Sequence, residues 1–163
     1  MKKWLVVVGI VAILPMLVAL HARSQKEASK RGEAEIVTVR PSELEATRQG
    51  LQQFVGISGK TAGAKGLSMN LIVIPPGGAA KPHIHRDYES AVYVLEGRVE
   101  TRYGEGLTKS VTNVAGDFLF IPAGVPHQPR NLSDTEPAKA IVARNDPNEQ
   151  ENVVPYDPAN RVE

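Results

Sequence analysis

The stretch Gly77–Gly97 reads GGAAKPHIHRDYESAVYVLEG, and Gly116–Asn131 reads GDFLFIPAGVPHQPRN. Within the first, the apolar run Ser90–Leu95 meets Glu96-Gly97 and continues as Arg98–Tyr103, the pattern of two strands joined by a tight turn. The chain has four histidines. His21 lies near the N-terminus, and His83, His85 and His127 all fall inside the two quoted stretches. On an extended strand residues i and i+2 project to the same side. His83 and His85 can therefore reach one metal ion, at nitrogen–metal distances of about 2.0–2.1 Å. His127, from a facing strand, would complete a facial set and leave positions for water or substrate.

Outward from these stretches the chain reads as β. Gly66–Ile74, Leu107–Val114, Asp117–Ile121, Gln128–Leu132 and Ala138–Arg144 are short strand-like runs, with Gly, Pro and Asn at nearly every junction. Regular short spacing of this kind predicts a sandwich or barrel. Glu35–Arg40 alternates and is rich in β-branched residues, which predicts a further strand. Ser42, with Glu45 three residues on, has the form of a capping box and predicts a short helix through about Gln53. The tail from Asp146 carries Pro147, Pro155 and Pro158 and is expected to wrap the surface as coil.

The two histidine stretches together resemble the cupin family. The family's first motif runs Gly, five residues, His-x-His, three or four residues, Glu, six residues, Gly, and is met here at Gly77, His83, His85 and Gly97. The second runs Gly, five residues, Pro-x-Gly, two residues, His, three residues, Asn, and is met in full at Gly116, Pro122, Gly124, His127 and Asn131. The resemblance implies an all-β fold, a cupin-type double-stranded β-helix or jelly-roll barrel with a metal in its mouth. It implies the ligands His83, His85, Glu89 and His127.

The carboxylate position is where the pattern departs. Counting back seven residues from Gly97 reaches Ser90, and Glu89 lies just before it. Neighbours on a regular strand face opposite sides, so only a β-bulge, or a strand beginning after Glu89, would turn Glu89 inward. The alternative is a three-histidine site with Ser90 or water near the ion. Gly97, Gly116 and Gly124 read as turn glycines, Pro122 as a turn-setting residue, and Asn131 as a turn or strand-end hydrogen-bonder. Tyr88, Tyr93 and Tyr103 fit strand packing better than redox chemistry.

At the N-terminus Lys2 and Lys3 precede the apolar run Trp4–Leu20. A charged start followed by such a run predicts a signal peptide or signal anchor over residues 1–22, forming an N-terminal hydrophobic helix. Pro15 and the small Ala22 favour cleavage after Ala22, and the run just reaches spanning length. The expected location is the periplasmic or extracellular side of the cytoplasmic membrane, secreted if cleaved and single-pass anchored otherwise. Residues 23–34 are polar and mixed in charge and read as a linker; residues 35–163 read as the cupin barrel, with motifs over 77–131.

Composition narrows the chemistry. With 163 residues the chain holds one ordinary domain. Zero cysteines exclude disulfides, zinc fingers, iron–sulfur clusters and thiol nucleophiles. A net charge of +1 offers no basic stripe for nucleic acid. Gly77-Gly78 is a turn after Pro75-Pro76 rather than a phosphate loop. A histidine cluster with at most one carboxylate suits Mn, Fe, Ni, Cu or Zn. Proton-transfer candidates near the motifs are Glu89, Tyr88 and Asp87. The expected function is therefore a small-molecule metalloenzyme of oxygenase, isomerase or lyase type, and the alternative is a non-catalytic module that binds a small molecule or metal. A homodimer is expected as well, with the strand near Ile36–Val39 available to a neighbour's sheet edge.

Overall fold

The structure is a computed structural model and describes residues 35–148 and 152–159. The expected N-terminal helix and linker lie outside the described residues. Eleven strands are described: β1 (Glu45–Ala46), β2 (Gln52–Ile57), β3 (Ser68–Ile74), β4 (His83–His85), β5 (Ser90–Glu96), β6 (Arg98–Tyr103), β7 (Lys109–Val114), β8 (Phe118–Ile121), β9 (His127–Asn131), β10 (Ala138–Arg144) and β11 (Val153–Pro155). They form a six-stranded sheet in the order β1-β2-β3-β10-β5-β8 and a five-stranded sheet in the order β11-β4-β9-β6-β7. Every pairing is antiparallel. This is the all-β double-stranded β-helix.

Period-two burial builds the barrel. On β10 the residues Ala138, Ala140, Val142 and Arg144 are buried and those between them are partly exposed. On β3 Ser68, Asn70, Ile72 and Ile74 are buried in the same way. The two strands pair from Ala138↔Ile74 to Arg144↔Ser68, so their buried residues lie side by side on one face. Ile72, Ile74, Val99, Ala138 and Val142 join Leu51 and Ala80 in the core. Each large aliphatic side chain buried there contributes about 1.5–3 kcal/mol. The two strands expected to form a hairpin about Glu96-Gly97 do not pair: β5 is flanked by β10 and β8 and β6 by β9 and β7, so at Gly97 (φ +85°), packed against Ala138, the chain crosses from one sheet to the other.

Three further local expectations are corrected. Glu35–Arg40 is irregular and almost wholly exposed; its β-branched residues do not form a strand without a paired neighbour. The helix expected from Ser42 to Gln53 is a hairpin of β1 and β2, paired at Glu45↔Gln53 and Ala46↔Gln52. The Thr47 hydroxyl accepts from the Leu51 N–H at 2.9 Å and donates to the Leu51 carbonyl at 3.1 Å, and Gly50 takes φ +87°. β2 then pairs with β3 along most of its length, and that ladder outweighs a local capping signal. A capping box does occur, at Ser58 and Thr61, and starts the one-turn helix α1 (Gly59–Ala62).

The tail is the third correction. Val153–Pro155 is a strand, and it pairs with the histidine strand as Val153↔His85, Val154↔Ile84 and Pro155↔His83. The Tyr156 N–H donates to the Pro82 carbonyl at 3.0 Å, and the Tyr156 hydroxyl accepts from the Gly106 N–H at 2.8 Å. β4 is thus held on both sides, by β11 and by β9.

Candidate metal centre

β4 and β9 carry the three histidines onto one wall of the barrel. His83 and His85 alternate with the half-buried Ile84, and both face inward. His83 stands directly opposite His127 in the β4–β9 ladder. Each of the three is only 3% exposed. Ring centroids are 4.3 Å apart for His83–His127, 4.8 Å for His83–His85 and 5.0 Å for His85–His127. One ligand atom from each ring lies within 4.8 Å of the others. Among the described residues this is the one group of histidine and acidic side chains placed to hold a metal.

Hydrogen bonds set the tautomers of two rings. His83 Nδ1 donates to the Lys81 carbonyl at 2.8 Å, and His127 Nδ1 donates to the Val125 carbonyl at 2.9 Å. A carbonyl can only accept, so Nδ1 carries the proton in both rings and the Nε2 lone pair is left for a cation. His85 Nδ1 is 2.7 Å from the hydroxyl of buried Tyr88. Such an outer partner orients a ligating imidazole.

Burial disfavours the imidazolium at all three sites. His83 is pushed down to about 3, first by burial and next by His127, with its bond to Lys81 opposing. His85 is lowered by burial and then by the Arg144 guanidinium. His127 is lowered by burial, against its bond to Val125. The rings are therefore neutral at physiological pH, which is the ligating form.

Glu89 is not brought to the cluster. β5 begins at Ser90, and Ser90 is buried opposite Arg144 and Ile121. The register shift of the β5–β10 ladder lies at Lys139/Ala140, too far along to turn Glu89 inward. Glu89 is exposed, and its N–H donates to Asn145 Oδ1 at 2.8 Å. Asp87 is exposed too. Asn131 ends β9 buried, its amide donating to the carbonyls of Ile74, Pro75 and Glu136.

The histidines open onto a cavity of about 70 Å³. Its wall is mostly aliphatic, with Ser90, Thr101, Gln49 and Asn113 interspersed. Among the described residues no acidic side chain lines it, and Arg144 is the one Lys or Arg that does. Arg144 is absent from the sequence-derived site. The signal was available: on Ala138–Arg144 it is in phase with the apolar Ala138, Ala140 and Val142.

The cupin domain family matches residues 70–144. Germin-like protein 1-1 of Oryza sativa subsp. japonica is 33% identical over 112 residues, covering 66% of this chain and 48% of its own length. The chain spans less than half the length of the curated relatives it matches. A recombinant oxalate oxidase in complex with glycolate superimposes with a TM-score of 0.62 at 25% identity, covering 78% of this chain and 66% of that one. The polyketide cyclase RemF from Streptomyces resistomycificus shares the fold, with a TM-score of 0.60 at 21% identity over 76% of this chain and 87% of that one. A family match over the strands that hold both histidine stretches, on a double-stranded β-helix, places the chain in the cupin superfamily.

Proposed function

We propose that this cupin is a small-molecule metalloenzyme of oxygenase, isomerase or lyase type, holding a divalent transition metal on His83, His85 and His127. The observation that carries the reading is the convergence of three buried, neutral imidazoles on one cavity, two with Nδ1 committed to a backbone carbonyl. Such a donor set suits Mn, Fe, Ni, Cu or Zn. When bound, the metal supplies Lewis-acid and, for Mn, Fe or Cu, redox chemistry toward an oxygen-bearing substrate.

The chain's own residues do the rest. Lys81 and Val125 hold the protons of His83 and His127 on Nδ1. For His85 to ligate through Nε2, its Nδ1–H donates to the Tyr88 hydroxyl, so Tyr88 acts as a positioning residue. The aliphatic wall excludes water from the reacting face. Glu89, exposed, is left out of both the ligand set and the proton path.

Elemental analysis of protein purified without chelator tests the site. About one metal per chain is expected, with loss in His83→Ala and His127→Ala; an unchanged content in both variants overturns it. Among the described residues the cavity is lined by no acid, which favours a second reading, a module that binds without turnover. Oxygen uptake and product analysis over diketones, phenols and small acids separate the two. The Lys2–Leu20 pattern supports an exported or anchored chain. A homodimer also belongs to this reading, supported by the exposed Phe118 and Phe120 on edge strand β8 and tested by sedimentation.

A further inference from the structure

The three imidazoles are not held alike. His83 and His127 each commit Nδ1 to a backbone carbonyl, whereas His85 Nδ1 is paired with a side chain, the Tyr88 hydroxyl. The backbone differs in the same way. Among the described residues the β4–β9 ladder has a single pair, His83↔His127, and His85 lies beyond it. The strand beside His85 is the C-terminal β11, with Val153 directly opposite.

The register of that pairing decides which way the tail's side chains face. The Tyr156 N–H donates to the Pro82 carbonyl at 3.0 Å, and the Arg86 N–H makes a longer contact of 3.5 Å with the Asn152 carbonyl. These bonds mark Tyr156/Pro82 and Asn152/Arg86 as hydrogen-bonded pairs, and alternation makes Val153↔His85 a non-hydrogen-bonded one. In such a pair the Cα atoms approach to about 4.5 Å and both side chains lie on one face of the sheet. His85 faces inward, so Val153 does too, and it is buried at 7% exposure. Val154, opposite Ile84, turns to the other face and is half-buried. The missing N–H of Pro155 falls on the open edge of the sheet, where it costs the ladder nothing.

The strand is pinned at both ends. The Asn152 amide donates to Asp146 Oδ2 at 2.8 Å, and the Tyr156 hydroxyl accepts from the Gly106 N–H at 2.8 Å. A β-branched side chain on so short and fixed a strand is stiff at χ1 and makes a firm wall for a ring beside it.

We propose that β11 belongs to the metal centre, with Val153 as a positioning residue that holds the His85 ring in its ligating orientation. The effect on metal affinity rests on the metal reading above; Val153 acts through His85 without touching the ion.

The test uses the full chain, Co(II) as a divalent probe with visible ligand-field bands, and truncations at two adjacent residues. Val153→Ala removes the wall, and Val154→Ala removes the same atoms from the opposite face. Val153→Ala is expected to weaken Co(II) about tenfold or more in competition with a chelator, the range for loss of outer support, and to shift the visible bands. Val154→Ala is expected to keep both at parent values. Thermal melts establish that each variant is folded; if Val153→Ala is not, Val153→Leu, which crowds the ring, is read in its place. Parent affinity and bands in Val153→Ala overturn the proposal. Equal losses in both variants overturn it too, because a merely structural strand responds to either truncation. A parent chain that takes up no Co(II) overturns the metal reading alone. The imidazole NMR signals of the metal-free chain then decide the role of Val153: a shift of His85 confined to Val153→Ala supports it, and unmoved His85 signals overturn it.

Discussion

The hydroxyl of Tyr88 lies 2.7 Å from Nδ1 of His85, three residues away, and both groups are buried. Residues 86 and 87 turn outward between them. The contact couples the only histidine of the cluster that is not held by a backbone carbonyl to a side chain that can be removed cleanly.

Tyr88→Phe deletes that oxygen and leaves the ring volume almost intact. His85 Nδ1 then stays buried with its partner gone, a cost of about 1–3 kcal/mol. Loss of an outer partner typically lowers metal affinity about 10–100-fold. Competition against a chelator of known affinity should show a weakening in this range, with His83→Ala far more severe. Unchanged affinity would mean that Tyr88 does not orient His85.

Acid should destabilise the metal-free protein. His83 has a folded pKa of about 3, below its ordinary value of 6.5, and His85 and His127 are lowered as well. The unfolded chain therefore takes up protons first as pH falls, so stability is full above about 6.5 and declines down to about 3. His83 alone accounts for about 2 kcal/mol by pH 5. Urea midpoints in the presence of chelator should drop from pH 7.5 to pH 5. Equal midpoints at those two pH values would show that the rings are not buried as neutral groups.

Glu89→Gln should leave metal content and stability within error of the parent. The side chain is exposed, outside the histidine cluster, and its backbone N–H bond to Asn145 is unaffected by the change. Stoichiometric metal loss in this variant would restore Glu89 to the ligand set.

Gly97→Ala should cost about 2–4 kcal/mol. The turn holds φ at +85°, which alone disfavours any side chain. A Cβ there would also sit 2.8 Å from the Ala138 Cβ and 2.9 Å from its Cα, in the packed core, where overpacking costs about 1–3 kcal/mol. Denaturant unfolding measures it, and a loss below about 0.5 kcal/mol would show that the turn relaxes freely.

How much could be read in advance varied with the range of the interactions. The turn at Gly97, the strand Ala138–Arg144 and the shared orientation of His83 and His85 follow from alternation and turn chemistry within a few residues, whereas the partners of the two strands about Gly97 do not: they go to different sheets instead of pairing as a hairpin. Asn131 was legible as a strand-end hydrogen-bonder, although its three carbonyl partners lie on other segments. Gln52–Ile57 was not legible as a strand, because propensities differ by only about 1 kcal/mol between helix and sheet and the β3 ladder decides.

From the sequence by itself came the β class, the two histidine stretches, and the choice between Glu89 and Ser90 posed as a question. Which of those two faces the cavity depended on where β5 begins, and that is set by its pairing with β8 and β10. The same pairing aligns Arg144 with Ser90, and β11 locks the histidine strand from beyond the tail's prolines. Alternation is a property of one strand. Register is a property of two, joined only when segments distant in the chain share hydrogen bonds.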